Sequence, residues 1–292
     1  MLAKANIKKM IPIADVGILF MQVLALANII DLTSNTLKEV VYIKKIAIYG
    51  KGGIGKSTTT SNLSAALSKK GCKVMQIGCD PKADSTRILM GGKNVPTILD
   101  KIKSHKEDIK LEDVIYEGFN GVLCVEAGGP TPGIGCAGRG IITAFELLEK
   151  LKAYDHYKPD IVLYDVLGDV VCGGFAMPIR GGYAEDVYIV SSGEMMSLYA
   201  ANNISQAVKN FKKLGYAELK GIILNAKNIP DEKDLVQKVA QEIGTEIVKY
   251  IPRSEYIQKS ENMGQTVVEA FPDSEMSDTY KKLADIIVGN KK

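Results

Sequence analysis

Arginine is scarce in this sequence. The 292 residues carry 37 basic side chains, and only Arg87, Arg139, Arg180 and Arg253 are arginines. Arginine offers a planar, permanently charged fork that lysine lacks, so a chain that otherwise uses lysine is expected to keep arginine where that fork is needed. All four lie in or beside segments rich in glycine or proline, and their placement therefore indicates functional sites.

A large excess of charge of one sign is also absent. The net charge at pH 7 is +3, which is too small to indicate binding to nucleic acid. Cysteines are few and odd in number, five in the whole chain, and this does not favour a disulfide framework of the secreted kind. We therefore expect a cytoplasmic protein.

Uninterrupted apolar runs long enough for a membrane span are missing too. Residues 11–30 are mostly apolar, but Pro12, Asp15, Gln22 and Asn28 interrupt them and no small-residue cleavage site follows. We predict that residues 1–40 are an N-terminal extension outside the fold, either a peripheral helix or, as the favoured interpretation, a start-site artefact. Residues 41–292 show no repeat or low-complexity linker and are predicted to be one domain without a membrane partner.

From residue 41 onward, short apolar runs alternate with helical patterns. Buried strands are predicted at 45–49, 73–78, 121–126, 161–165, 187–191, 220–225 and 246–251. Helices are predicted to open at 61–68 and to span 143–152, 195–214 and 233–243. This alternation predicts an α/β fold with a doubly wound, mostly parallel sheet and ligands at the carboxyl ends of its strands.

The segment GKGGIGKST, residues 50–58, follows the first strand and has the spacing of a P-loop. Glycines there let backbone N–H groups surround phosphates, Lys56 reaches the outer phosphates and Ser57 is placed to ligate Mg²⁺. The chain is therefore predicted to bind a nucleoside triphosphate. The predicted nucleotide-binding residues here are Gly50, Lys51, Gly52, Gly53, Ile54, Gly55, Lys56, Ser57 and Thr58. One lysine already serves the phosphates, so this pattern leaves Lys51 unexplained.

Acids follow two of the other strands. Asp165 ends the fourth predicted strand and is expected to meet Mg²⁺ directly or through water. Asp169, four residues later, either orients or deprotonates the attacking water or caps a turn. In GCDPKADSTR, residues 78–87, Asp80, Lys82 and Asp84 suit a nucleotide-sensing switch, with a solvated loop as the alternative. ILNAKN and IPRSEYIQKSE end late strands where a purine could lie.

Two cysteines lie in Gly-rich loops beyond strands, Cys136 in GGPTPGIGCAGRG and Cys172 in DVVCGGF. Two thiolates cannot complete an iron–sulfur cluster, which usually needs four, but a two-fold homodimer would supply four. A two-cysteine zinc site or redox pair accounts for the spacing equally well. Cys72, Cys79 and Cys124 are expected to be small core residues.

GKGGIGKSTT, GCDPKADSTR, GGPTPGIGCAGRG and YDVLGDVVCGGFAMPIR, in this order, resemble the nitrogenase iron protein family, and SGEMMSLYAANNI strengthens the resemblance. The match runs from about Lys44 to nearly the end of the chain. It implies an ATP-driven, one-electron donor: a homodimer of P-loop NTPases of the deviant Walker A type, bridged by one [4Fe-4S] cluster on Cys136 and Cys172. Related ATPases that position septa, partition DNA or carry clusters share only the P-loop and the Asp165 strand.

The resemblance also implies roles for single residues. Lys51 would reach the nucleotide of the other subunit, so that catalysis requires subunit closure. Asp80 and Asp84 fall in a first switch, Asp165 and Asp169 in a second. The predicted sites are catalytic Lys51, Asp80 and Asp169; Mg²⁺-binding Ser57, Asp84 and Asp165; nucleotide-binding Lys82; adenine-side Asn225, Pro252, Arg253, Gln258 and Glu261; and Arg139, which matches a partner-docking arginine that some relatives ADP-ribosylate.

The electron acceptor is predicted to be a catalytic component resembling a subunit of the nitrogenase molybdenum–iron protein, with a low-potential donor such as ferredoxin upstream. Nitrogenase-type members usually carry an acid where this chain has Thr131, and they continue with a long tail beyond the position of Lys292. These departures and the Lys-rich composition favour the reductive cyclase of nickel-sirohydrochlorin a,c-diamide as the partner. Nitrogenase itself is the alternative, and a positioning ATPase or an iron–sulfur carrier is less favoured.

Overall fold

The computed structural model describes residues 42–105, 108–129, 137–168 and 176–289, and the description concerns the unit Ile43–Lys292. The proposed N-terminal extension, residues 1–40, lies outside the described residues, and its separation from the fold stays a prediction. In the part of the chain that is described, no helix combines the length and the apolar character needed to cross a membrane.

An eight-stranded sheet forms the centre of the fold, in the order β3-β4-β2-β5-β1-β6-β7-β8. The strands are β1 Lys44–Tyr49, β2 Val74–Gly78, β3 Tyr116–Glu117, β4 Leu123–Glu126, β5 Ile161–Asp165, β6 Asp186–Ser191, β7 Glu218–Asn225 and β8 Ile247–Ile251. Only β3, at one edge, pairs antiparallel, and every other pair of neighbours is parallel. The predicted doubly wound, mostly parallel α/β sheet is therefore confirmed.

All seven predicted strands are present, and each ends at the predicted residue. The sequence interpretation missed β3, because two residues are too few to show a strand pattern. Strand ends were predictable because polar or glycine residues interrupt the apolar runs there.

The described chain has ten α-helices, seven between strands and three after β8. They are α1 Lys56–Lys69, α2 Ile98–His105, α3 Ala137–Lys150, α4 Ala153–Tyr157, α5 Met177–Arg180, α6 Met195–Lys212, α7 Glu232–Glu242, α8 Glu255–Asn262, α9 Val267–Ala270 and α10 Glu275–Val288. The predicted α3 was wrong at both ends: the helix starts at Ala137 rather than residue 143, and it stops before Lys152, whose left-handed φ of 54° interrupts it.

Two apolar layers, one on each face of the sheet, form the core. Tyr49 and Tyr164 point to the layer that contains Phe145 of α3. Ile48 and Leu163 point to the opposite layer, with Leu63 of α1 and Leu283 of α10. Because side chains alternate between the faces of a strand, each central strand contributes to both layers. This packing fixes the carboxyl ends of β1, β2 and β5 side by side.

Candidate functional site

The carboxyl ends of four strands meet at the centre of the sheet. Gly78, at the end of β2, is paired in register with Glu126 of β4 on one side and with Asp165 of β5 on the other. The end of β1 lies beyond β5 and leads directly into the glycine-rich loop at residues 50–55. The parallel sheet therefore places two carboxylates and the P-loop on one edge, where such folds bind ligands.

The P-loop needs glycine for close approach of its backbone to neighbouring strands. A Cβ atom added at Gly50 would lie 2.2 Å from the carbonyl oxygen of Val190, and one added at Gly55 would lie 2.5 Å from Asn225 Nδ2. Gly55 also has a φ of 97°, in the left-handed region that favours glycine. Asn225 Nδ2 donates a 2.7 Å hydrogen bond to the carbonyl of Ile54, so the end of β7 supports the loop.

Lys56, the first residue of α1, is buried under this loop. Its Nζ donates a 3.2 Å hydrogen bond to the carbonyl oxygen of Lys51, and only 8% of the residue is exposed. Burial lowers the pKa of the Lys56 ammonium, while the negative charges of Asp165 and Asp80 oppose that shift. An ammonium that is poorly solvated and folded back on the loop is well placed to gain from a phosphate.

Asp165 fits a site for Mg²⁺. The residue is 2% exposed, and its Oδ2 atom is buried without a hydrogen-bond partner among the described residues. The nearby hydroxyls of Ser57 and Ser85 lower the pKa of Asp165, yet burial dominates and raises it above its ordinary value. A bound cation would satisfy this orphaned oxygen, and Ser57 brings the second oxygen ligand that hard Mg²⁺ prefers.

Within residues 42–105, 108–129, 137–168 and 176–289, no three His, Cys, Asp or Glu side chains are grouped so as to hold a metal ion. At nucleotide sites Mg²⁺ takes phosphate and water oxygens in addition to one or two protein ligands.

Residues 80–86, called the switch loop, connect β2 to the turn that begins at Arg87. Its first half is open: Pro81, Lys82 and Asp84 are exposed, and the backbone N–H of Lys82 donates to Asp80 Oδ1 at 3.0 Å. Asp84 lines a cavity of about 580 Å³ together with Ser57. The predicted switch residues therefore lie beside the phosphate site.

The second half of the switch loop is anchored. Gln76 Nε2 donates to the carbonyl and the hydroxyl of Ser85 at 3.0 and 2.9 Å, and Ser61 of α1 donates to the same carbonyl at 2.7 Å. All three side chains are buried. A buried, fully bonded polar network of this kind holds one end of the loop while the exposed end can respond to a ligand.

The predicted adenine-side residues come together around one cavity of about 260 Å³, which also borders Gly55 and Thr58 of the P-loop. Its lining includes every residue predicted from the late strands, Asn225, Pro252, Arg253, Gln258 and Glu261. Glu261 Oε1 accepts a 2.7 Å hydrogen bond from the Thr58 hydroxyl. The cavity therefore continues directly from the phosphate-binding loop.

Lys51 faces another groove, of about 650 Å³, between the P-loop and α6. Met196 and Tyr199 of α6 line it and are 59% and 60% exposed. Gly168 closes the groove near the P-loop, because a Cβ atom there would lie only 1.8 Å from the carbonyl oxygen of Gly50. The segment that follows Asp165 is thus packed on the P-loop backbone.

Sequence reasoning missed Glu126, the last residue of β4. It is 1% exposed, and its Oε1 accepts hydrogen bonds from both the backbone N–H and the hydroxyl of Thr86, each at 2.7 Å. Oε2 is buried without a partner in the described chain. Burial raises the pKa of Glu126 to about 8, against the hydrogen bonds from Thr86 that lower it. The signal available in the sequence was an acidic residue at the end of an apolar strand.

Sequence reasoning also missed Glu232, at the start of α7. Its carboxylate accepts hydrogen bonds from the backbone N–H groups of Gly193 at 2.9 Å and Lys227 at 3.0 Å, and it is 6% exposed. It therefore ties the loop that begins α6 to the loop beyond Asn225. No sequence pattern reveals this role, because both partners are backbone groups of other loops.

Three predicted residues, Cys136, Cys172 and Asp169, lie outside the described residues, so their roles stay predictions. Of the described cysteines, Cys79 and Cys124 are fully buried in the core, where burial raises the pKa of both thiols, and Cys72 is partly buried against the core. Arg139, three residues beyond Cys136, lies in the first turn of α3 and is exposed, as a partner-docking residue requires.

Comparison with known proteins gives a family match over nearly the whole described chain. The model for the 4Fe-4S iron sulfur cluster binding proteins of the NifH/frxC family matches residues 44–292. The nitrogenase iron protein of Methanospirillum hungatei is 57% identical over 251 residues, which are 85% of this chain and 89% of that protein. Nitrogenase iron protein 2 of Paenibacillus durus is 54% identical over 246 residues, 84% of each chain.

Solved structures show the same fold at lower identity. The septum site-determining protein MinD of Pyrococcus horikoshii, complexed with Mg-ADP, superimposes with a TM-score of 0.65 at 28% identity, over 84% of this chain and 96% of that one. A ParA family ATPase from Chlorobium tepidum gives a TM-score of 0.63 at 23% identity, over 82% and 98% of the two chains, which is evidence for the fold alone.

Proposed function

This chain belongs to the NifH/frxC family of 4Fe-4S iron sulfur cluster binding proteins, and from that premise we propose that it is an ATP-gated, one-electron donor that works as a homodimer. Proteins of this family are ATP-hydrolysing reductase components that use ATP, Mg²⁺ and a bridging 4Fe-4S cluster. The observation that carries the proposal is the buried, unpartnered Oδ2 of Asp165 beside Ser57, next to the buried Lys56.

The phosphate end of the site is built by the P-loop. Backbone N–H groups of the loop and the Lys56 ammonium would bind the phosphates, and Ser57 and Asp165 would hold Mg²⁺. Asp84 faces the same cavity as Ser57 and responds to Mg²⁺ and the γ-phosphate. Asn225 and Glu261 border the P-loop end of the adenine-side cavity and fix the direction in which the nucleotide lies.

Lys51 acts across the dimer in this proposal. It lies beside a groove lined by exposed Met196 and Tyr199, so a second subunit seated there would bring two lysines toward two nucleotides. A cation delivered in this way stabilises charge in the phosphoryl transition state. Hydrolysis then requires closure of the dimer.

Cys136 and Cys172 of each subunit would hold the cluster, which supplies the single electron when it is bound. Cys172 follows Asp165 by seven residues, and the intervening Gly168 contacts the P-loop backbone. Movement of the Asp165 segment on nucleotide binding would then act close in sequence to a cluster ligand. ATP supplies direction and timing to electron transfer.

Two acceptors are candidates. A nitrogenase catalytic component is favoured by the identities of 57% and 54% to proteins named nitrogenase iron proteins. The reductive cyclase of nickel-sirohydrochlorin a,c-diamide is favoured by Thr131 and by the Lys-rich composition. Both assign the same donor chemistry to this chain, and they differ in the partner that docks near Arg139.

The experiment is reconstitution of the full-length chain under anaerobic conditions with each catalytic component, a reductant and MgATP. Acetylene reduction with a nitrogenase component, or cyclisation of the nickel tetrapyrrole with the cyclase component, identifies the acceptor. Lys51→Ala is expected to lower ATP hydrolysis by about 10³-fold, as loss of a catalytic cation does, while MgATP still binds. Lys238→Ala, which removes an exposed lysine of α7, is the matched control. Failure with both partners would contradict the proposal.

A further inference from the structure

Arg87 is an arginine to which the proposed function gives no role. It opens the turn that follows the switch loop, and it is exposed. Its Nε donates a 3.0 Å hydrogen bond to the carbonyl oxygen of Gly92, and within the described chain it forms no ion pair. The chain uses arginine at only four positions, so a guanidinium bonded only to a neutral carbonyl indicates that its charge serves another partner.

The surroundings of Arg87 suit an anion. Arg87 borders the cavity of about 580 Å³ that Ser57 and Asp84 also line, and of the described residues around this cavity it is the only one with a positive charge. The acids there have other partners. Glu261 accepts a 2.7 Å hydrogen bond from the Thr58 hydroxyl, and Asp84 is assigned to Mg²⁺ in the proposed function. The guanidinium is therefore available for charge-assisted hydrogen bonds to a phosphate.

The position of the cavity selects one phosphate of the nucleotide. The cavity at Arg87 and the adenine-side cavity share Thr58 and Glu261, so a nucleotide with its base in the second and its phosphates on the P-loop passes the border between the two. A P-loop surrounds the α- and β-phosphates with backbone N–H groups, and its lysine reaches the outer phosphates. Lys56 is not among the described residues that line the cavity at Arg87, so this cavity lies beside the α-phosphate end.

The backbone that carries Arg87 is held in place. The N–H of Gly92 donates to the carbonyl oxygen of Arg87 at 2.9 Å, so the two residues bond each other in both directions. Leu89, between them, is 2% exposed. A Cβ atom added at Gly264, just beyond α8, would lie 2.8 Å from the Cα of Gly92, so the turn packs directly against the end of α8. A group on a fixed turn loses less freedom when it binds a ligand.

We propose that Arg87 is a nucleotide-binding residue whose guanidinium contacts the α-phosphate from the side of the switch loop. This inference rests on the proposed function for the identity of the ligand. Because ATP and ADP both carry the α-phosphate, the contact contributes equally to the binding of substrate and of product. Uniform binding of this kind lowers KM without raising kcat. Arg87 differs in this from Lys51, which in the proposed function stabilises the transition state.

The test measures binding of three nucleotides to the full-length chain by calorimetry: the magnesium complex of β,γ-imido-ATP, MgADP, and AMP in competition with MgADP. Arg87→Gln removes the charge but keeps an N–H donor for the Gly92 carbonyl. It is expected to weaken all three affinities by the same factor, about ten-fold, the size of a hydrogen bond to a charged group. Arg87→Lys keeps the charge and is expected to recover part of that loss. Added KCl should reduce the difference, because exposed charges are screened.

Lys93→Gln is the matched control. It removes an exposed positive charge from the residue next to Gly92, and Lys93 does not line the cavity, so all three affinities are expected to stay unchanged.

Four outcomes would overturn the inference. They are unchanged affinities in Arg87→Gln, a loss confined to the ATP analogue, an equal loss in Lys93→Gln, and equal losses in Arg87→Gln and Arg87→Lys, which would assign the effect to the turn and not to the charge. Iron content after reconstitution tests the proposed function separately. A chain that holds no cluster but shows the Arg87 effect on all three nucleotides would contradict the electron-donor function and support this inference.

Discussion

Asp165 and Glu126 are the same kind of group in equivalent places. Each ends a parallel strand, and the two lie on opposite sides of Gly78. Both are almost completely buried, at 2% and 1% exposure, and both have one carboxylate oxygen without a partner in the described chain. Burial raises the pKa of both.

Their neighbours differ, and the difference separates two tasks. Asp165 lies beside Ser57 and close enough to Lys56 for the two charges to interact, so its free oxygen belongs to the phosphate and Mg²⁺ site. Glu126 instead accepts both hydrogen bonds from Thr86 and contacts no P-loop lysine that shifts its pKa. Burial is therefore common to both acids, and only their hydrogen-bond and charge partners indicate which of them contacts the ligand.

Replacing the two acids should give the largest contrast. Asp165→Asn is expected to lower MgATP hydrolysis by about 100-fold or more, because a metal-held phosphoryl group loses several kcal/mol of charge stabilisation. Glu126→Gln, its matched counterpart across Gly78, is expected to stay within a few-fold of the unmodified chain. Steady-state hydrolysis of full-length variants measures this. Equal losses in the two variants would abolish the distinction between the acids.

Gly78 lies between the two acids, and a larger residue at this position should disturb Glu126 more than Asp165. In Gly78→Ala the new methyl group would lie 2.0 Å from Glu126 Oε2, so we expect a loss of about 1–3 kcal/mol in the free energy of unfolding, as overpacking gives. Adding Glu126→Ala should recover part of that loss, because the two changes share one clash. Denaturant unfolding of the two single variants and the double variant checks this. Strict additivity would contradict the stated contact.

Per pH unit, the smallest change is expected in the pH dependence of stability. A folded-state pKa of about 8 for Glu126 means that the folded chain keeps a proton which the unfolded chain releases above its ordinary carboxyl pKa. The free energy of unfolding should therefore fall as pH rises from about 4.5 to about 8, by at most about 1.4 kcal/mol per pH unit from this group. Glu126→Gln should flatten the curve, measured by denaturant titration of the iron-free chain. A curve unchanged by the substitution would show that Glu126 is ionised in the fold.

The strands and the P-loop could be predicted from the sequence because their signals are local. The start of α1 could not. KSTTT suggests a loop, yet the helix begins at Lys56, because buried polar side chains of the helix find partners elsewhere in the fold: Ser61 donates to the carbonyl of Ser85 and Asn62 accepts from the backbone of Val267. Tertiary contacts override the low helix propensity of Ser, Thr and Asn.

The functional site likewise contains residues that the sequence predicts and residues that it does not. Asp165 was predictable because a P-loop precedes it and an apolar strand leads to it. Glu126 ends a strand in the same way but gained no attention, because its partner Thr86 lies 40 residues away. The clustering of Asn225, Arg253 and Glu261 around one cavity depends on how β7, β8 and α8 pack, which spacing along the chain does not reveal.

The central claim is that nucleotide bound at Asp165 controls an iron–sulfur cluster on Cys136 and Cys172. The most direct test measures iron in the reconstituted, full-length dimer and the rate at which a ferrous chelator removes it, with and without MgATP. We expect about four irons per dimer, removal that MgATP accelerates by about five-fold or more, and no acceleration in Asp165→Asn. A dimer that binds MgATP but holds no iron after reconstitution, or that loses iron at the same rate with and without MgATP, would contradict it.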